Sequence, residues 1–264
     1  MSTQLIDPSW LQMALAAGLV LVAIGLSAAR GLGLERDRTV AAIRTFVQLV
    51  AIGYVLGFVF STDRPALILA ILVFMLAVAA WTVAARQHRP TNSLRLLVLA
   101  SLTAGCGITL VVSTELILRI RPWYNPYYLI PLMGMVIGNS LNSATLAVER
   151  LDSDLRGGRE RVEALLALGA TSAQAAAEPV RSAMKAAMLP IINSMMVVGL
   201  VALPGMMTGQ ILGGSPPLVA IKYQVLIMYM IAFSTALTAF LLTRLRARSY
   251  FTPAHQLRDD AVAD

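Results

Sequence analysis

The chain has 264 residues, 58% hydrophobic and only 13% charged, with a formal net charge of +7 and a mean hydropathy of +0.73. A soluble domain this poor in charge could not cover its own surface, so an ordinary globular protein is excluded and a membrane class is expected. The pI near 10.1 does not indicate nucleic acid as a partner, because the basic residues stand at the ends of apolar runs and not on one soluble face.

A bilayer crossing takes about 20 mostly apolar residues. Seven such runs follow one another, over 10–29, 40–60, 66–85, 96–113, 128–148, 186–203 and 218–243. The ten residues that open the chain hold no Lys or Arg, so the first run is expected to be a span and not a cleaved leader. With the N-terminus outside, all of the 21 basic residues except Arg64, Arg119, Arg121 and Lys222 fall on the inner side, as the positive-inside rule requires. The expected fold is therefore an all-α polytopic membrane protein, one transmembrane domain over 1–264. It has seven transmembrane helices, N-terminus outside, C-terminus inside, and a short inner tail over 244–264. The single cysteine, Cys106, lies within the fourth run, so neither a disulfide within the chain nor a cysteine metal site can form.

Polar residues within the runs are few. The second carries Arg44 and Gln48, the fifth Asn139 and Asn142, and the sixth Asn193; Glu115 and Lys222 stand near run ends. Asn139 and Asn142 are three apart and share a helix face, where Asn193 could meet them. Such residues either line a path or bond one helix to another. Gly134 and Gly138, like Gly53 and Gly57, have the spacing that lets two helix backbones approach closely, within a subunit or between two.

The longest inner segment, 149–185, balances six acidic against six basic residues, which suits a solvated protein-docking surface better than a lipid-binding one. Val162, Leu165, Leu166 and Gly169 follow the i, i+3, i+4, i+7 pattern of one helix face, and Gly169 is a natural helix stop. Thr171 and Gln174 form a capping box that starts a second helix, which Pro179 kinks or shortens before the sixth run. A helix, a glycine turn and a capped helix leading into the membrane make a lever; an incidental helical hairpin would have the same pattern.

The connector "VGLVALPGMMTGQILGG" joins the last two runs with no charge in it. Pro204 is expected to end the sixth span. Gly205, Gly209 and Gly213 suggest a short helical or re-entrant piece, tolerated at membrane depth only when buried or lining a cavity. Met206 and Met207 supply flexible thioethers, softer ligands than iron prefers, and Gln210 adds a polar group. The segment is expected to be an outer gate that moves during transport.

Two features resemble known proteins. "EALLALGAT" (Glu163, Ala164 and onward to Thr171) is similar to the cytoplasmic coupling loop of ABC-transporter permeases; Glu163, Ala164 and Gly169 match, while Leu165 stands for a second Ala and Ser182 for a Pro. "IRTFVQL", "PLMGMVIGNSLN", "LALGAT", the connector, "AIKYQ" and "AHQL" together look like the FetB family. That resemblance implies a permease subunit of an ABC transporter associated with iron export, with plant relatives linked to aluminium tolerance. It further implies a homodimer of permease subunits with an ABC ATPase as partner, in the inner (plasma) membrane among its lipids. The chain has no Walker A loop: its only lysines, Lys185 and Lys222, do not follow a glycine. ATP and Mg would thus be bound by the ATPase, with no cofactor in this chain and no catalytic constellation; the metal ligands are unassigned. His88 and His255 are read as ordinary solvated residues. A secondary transporter or channel driven by an ion gradient is the alternative, as is an ABC permease for an organic substrate.

Overall fold

A computed structural model describes residues 7–30, 35–61, 64–87 and 90–258. Among these, the regular structure is helical: α1 (Trp10–Ala29), α2 (Glu35–Phe60), α3 (Pro65–Ala85), α4 (Asn92–Val111), α5 (Pro126–Gly157), α6 (Arg159–Ala167), α7 (Ser172–Ala175), α8 (Ala177–Val197), α9 (Gly205–Leu212) and α10 (Pro217–Ser249). A π-helical turn, Val112–Ile117, continues α4. His88 lies outside the described residues.

Among the described residues, six helical segments are long and apolar enough to cross a bilayer: Trp10–Ala29, Thr39–Phe60, Pro65–Ala85, Asn92–Ile117, Pro126–Gly157 and Pro217–Ser249. The remaining expected span, at the sixth run, is not one helix. α8 starts early, taking in Glu178, Arg181 and Lys185, and stops at Val197. Gly199 then adopts φ +84°, and its N–H bonds the Ala202 carbonyl at 2.9 Å in an irregular turn. Pro204 does not end α8 as expected. It lies beyond the break, and its carbonyl accepts the Thr208 N–H at 3.0 Å, opening α9. Pro179 falls in the first turn of α8, where its missing N–H has no helical partner to lose.

The chain divides into two compact units. In Met1–Arg64 with Leu212–Gly214, α1 and α2 pack on each other as a helical hairpin. α1 is opened by a capping box between Ser9 and Gln12.

In Pro65–Ile211 with Ser215–Asp264, α10 packs against α4, α5 and α8, and α3 packs against α4 and α5. Small residues set the close approaches. Ala147, Ala187 and Ala239 meet as a fully buried cluster of α5, α8 and α10. Gly105 of α4 faces α10 so closely that a Cβ there would lie 3.1 Å from the Thr238 backbone nitrogen and 3.2 Å from the Ser234 carbonyl oxygen. Between these helices Ser140 and Ser234 share a hydrogen bond at 2.8 Å, and the Ser234 hydroxyl reaches the Cys106 sulfur at 3.5 Å.

α5 and α10 have 32 and 33 residues, about 48–50 Å each at 1.5 Å per residue. A hydrocarbon core is ~30 Å thick, so both outrun it. The C-terminal ends of both helices meet the N-terminal end of α8 in one apolar cluster containing Leu151, Leu155, Ala183 and Ala247. This end of the unit bears Arg150, Arg156, Arg181, Lys185, Arg244 and Arg248, and we call it the basic end.

Candidate functional site

At the basic end α6 and α7 form a hairpin that stands outside the apolar spans. α6 closes in a Schellman turn: Gly169 has φ +88°, its N–H bonds the Leu166 carbonyl and the Ala170 N–H bonds the Leu165 carbonyl, both at 3.0 Å. Glycine occupies this left-handed position without the Cβ clash other residues meet. α7 opens with the expected capping box: the Thr171 N–H donates to Gln174 Oε1 at 2.9 Å, and Thr171 Oγ1 accepts from the Gln174 N–H at 3.4 Å.

The apolar stripe of α6 faces its own chain. Val162 is 2% exposed, in a cluster with Leu151, Leu155, Ala175, Tyr250 and Phe251, and Leu165 and Leu166 pack against that cluster. These three side chains are therefore not free to insert into a partner: the ends of α5 and α10 project far enough to cover them. What the hairpin leaves outward is Glu163, held by Arg159 at 2.7 Å, together with Ala164, Gly169, Thr171 and Leu168, which is 85% exposed at the tip.

The ends of α5 and α10, on which the hairpin packs, are tied to each other by a buried ion pair that sequence reading did not find. Arg246 of α10 donates through Nε and Nη2 to the two carboxylate oxygens of Asp152 on α5, at 3.0 and 2.8 Å. Nη2 also donates to the Tyr250 hydroxyl at 3.1 Å, and the guanidinium lies 4.7 Å from that ring's centroid. Burial, and then the Asp152 carboxylate, push the Tyr250 phenol well above its usual range. The available signal was the stripe Ala144, Val148, Leu151 and Leu155, which runs past the end of the apolar run at helical spacing and flanks Asp152.

The tail is folded, and 244–249 still belongs to α10. Phe251 and Leu257 pair as a short bridge. His255 is exposed, as expected, yet it is partnered: its Nδ1 accepts the Ser172 N–H at 3.3 Å and lies 3.0 Å from the Ser172 hydroxyl oxygen. The tail is thereby tied to the start of α7.

The connector is a short helix, as one expectation had it. In α9 Met207 is buried, Met206 and Gln210 are half-buried, and Gly205 and Gly209 are exposed. A Cβ at Gly205 or Gly209 would meet nothing within 4 Å, so packing within the chain does not require glycine at either position. Gly213 follows the helix, and the Ser215 N–H closes the end on the Gln210 carbonyl at 2.9 Å. Before α9, Leu200 is 89% and Val201 83% exposed.

Asn139, Asn142 and Asn193 lie on exposed faces of α5 and α8. No hydrogen bond joins them; Asn139 donates to the Met135 carbonyl of its own helix at 2.8 Å. Besides Gln87, Asp152 and Gln224, the buried polar residues of this unit are small hydroxyls, including Ser140, Ser143, Ser234 and Thr238. Among the described residues no three His, Cys, Asp or Glu side chains are grouped to hold a metal ion.

A family model described as "Uncharacterised protein family (UPF0014)" matches residues 10–251. The UPF0014 membrane protein slr1647 of Synechocystis sp. is 41% identical, over 97% of this chain and 99% of its own. The probable iron export permease protein FetB of Escherichia coli is 36% identical over 93% of each chain. Protein ALUMINUM SENSITIVE 3 of Arabidopsis thaliana is 35% identical, over 91% of this chain and 86% of its own. No solved structure matches the chain. With near end-to-end similarity to these relatives and six apolar helices of spanning length, the chain is a multi-pass membrane protein and belongs to the UPF0014 family.

Proposed function

We propose that this chain is the permease subunit of an ABC transporter that exports iron or another metal, driven by ATP hydrolysed on a separate ATPase. The observation that carries the reading is the α6–α7 hairpin: a short capped unit outside the spans, presenting Leu168 and Glu163 outward while anchored to α5, α8 and α10. Such an anchored projection transmits a push at its tip to several spans at once. The metal cargo rests on the relative named as a probable iron export permease.

The basic end is the cytoplasmic one in this proposal, following the bias of Arg and Lys. Seven crossings fit the connectivity better than six. α8 starts at the basic end beside the C-terminus of α10, and the chain must return to Pro217 at the opposite end, about 45 Å away along the α10 axis. The stretch from Ala186 through the irregular turn makes that crossing.

Two copies complete the transporter. Asn139, Asn142 and Asn193 are exposed on spanning faces, where lipid contact is costly; a second copy and a polar path between the two would cover them. α9 and the turn before it form the gate at the opposite end.

Single cysteines placed at Leu168, Glu163 and Ala164 in a Cys106→Ser chain should crosslink to the ATPase in an active complex. No crosslink from any hairpin position would overturn the docking assignment. A periplasm-active reporter fused after Leu118 should give signal and after Gln87 none; reversed signals would overturn the orientation.

A further inference from the structure

The charges of the 149–185 segment sum to nothing in sequence, but the fold sorts them by side. On one face of the basic end, α8 and α10 flank a groove of about 840 Å³. Its four cations are Arg181 and Lys185 of α8 and Arg244 and Arg248 of α10. All four are exposed, and none forms an ion pair among the described residues; the ion pairs of this end involve Arg150, Arg159 and Arg246.

Each helix contributes one stripe that changes character along its length. On α8, Arg181 and Lys185 give way to Met188 and Ile192; on α10, read backwards, Arg248 and Arg244 give way to Phe240. The two helices run in opposite directions, so both stripes switch from cationic to apolar at the same level. From Arg181 to Ile192 is about 16 Å of helix, and from Arg248 to Phe240 about 12 Å. Ile192 is 43% and Phe240 38% exposed, so the apolar part of the groove is open among the described residues of this unit.

We infer that this groove is a binding site for an anionic phospholipid of the adjoining leaflet. The phosphate sits among Arg181, Lys185, Arg244 and Arg248, and an acyl chain lies along Met188, Ile192 and Phe240. Charge complementarity selects the headgroup: four cations with no acidic partner among the described residues, Arg244 lying 4.6 Å from the Phe240 ring centroid, hold a negative charge at a bilayer boundary and not a zwitterion. The graded stripes select a lipid over a free anion, because a soluble phosphate would leave the apolar half of the groove empty. The inference does not depend on what the protein transports.

The test uses the full chain in a non-ionic detergent. It is titrated with palmitoyl-oleoyl-phosphatidylglycerol or palmitoyl-oleoyl-phosphatidylcholine, and retained lipid is measured by native mass spectrometry. Phosphatidylglycerol should bind at least tenfold more tightly. A basic side chain near an anionic surface is worth about a factor of five, so Arg181→Gln with Arg244→Gln should weaken binding roughly 25-fold. Arg181→Lys with Arg244→Lys should restore most of it, and Arg119→Gln with Arg121→Gln, away from the groove, should change nothing. Equal retention of the two lipids would overturn the inference, as would indifference to the double Gln variant. Displacement of the lipid by inorganic phosphate would mean a free-anion site, and a disulfide between two Met188→Cys chains with lipid retention lost would mean a second copy; each refutes it. Should the double variant fail to purify, the comparison of the two lipids on the unmodified chain decides alone.

Discussion

Replacing Arg246 by Gln tests how firmly the ends of α5 and α10, on which the hairpin packs, are held to each other. Arg246 and Asp152 have side chains only 13% and 9% exposed, and the variant leaves the Asp152 carboxylate buried without its bidentate partner. Breaking such a pair from one side costs about 3–5 kcal/mol, most of it the penalty of an uncompensated buried charge. Removing both charges, with Asp152→Leu and Arg246→Met, should cost far less than the sum of the two single changes. The chain supplies its own probe: Cys106 is its single cysteine and is fully buried between the spans, so a thiol-reactive dye reports unfolding in detergent. With an unfolding entropy of about 2.1 cal/mol/K per residue, 3–5 kcal/mol corresponds to a fall of about 5–9 °C in Tm. A shift below about 1 °C for Arg246→Gln, or a double variant as unstable as the singles combined, would show that this pair does not hold the ends of α5 and α10 together.

Gly105→Ala should destabilise the chain by about 1–3 kcal/mol, a fall of about 2–5 °C in Tm by the same assay, because its methyl group meets the α10 backbone at two atoms; an unchanged Tm would mean the helices are not held at that distance. Gly169→Val should cost only about 1–2 kcal/mol through its left-handed backbone, since the space around it is open. It should nevertheless uncouple ATP hydrolysis from transport, while Gly169→Asn, which tolerates that conformation, should retain coupling. Gly209→Val should leave Tm within about 1 °C, because nothing lies near its Cβ, yet block export. A spin-label distance between Thr208 positions of two copies that stays the same with and without ATP would remove α9 as a moving gate.

What the sequence by itself determined was the solvent of this protein and the local grammar of its backbone. Long apolar runs free of charge have no stable home but a bilayer, and that follows from composition alone. The glycine at the end of α6 and the Thr171 capping box were legible because each works within about five residues of chain. The tertiary structure decided where those elements face. Val162, Leu165 and Leu166 have the same amphipathic spacing whether they meet a partner or their own chain, and only the overlong α5 and α10, reaching past the apolar runs, settle that they face inward. The pairing of Asp152 with Arg246 joins residues 94 apart in sequence, which no periodicity encodes. The sixth run reads as one unbroken helix because hydropathy counts side chains; Gly199 interrupts it through its backbone, which hydropathy does not measure. Likewise the 149–185 segment is neutral as a string, and only folding gathers Arg181 and Lys185 with Arg244 and Arg248 on one face.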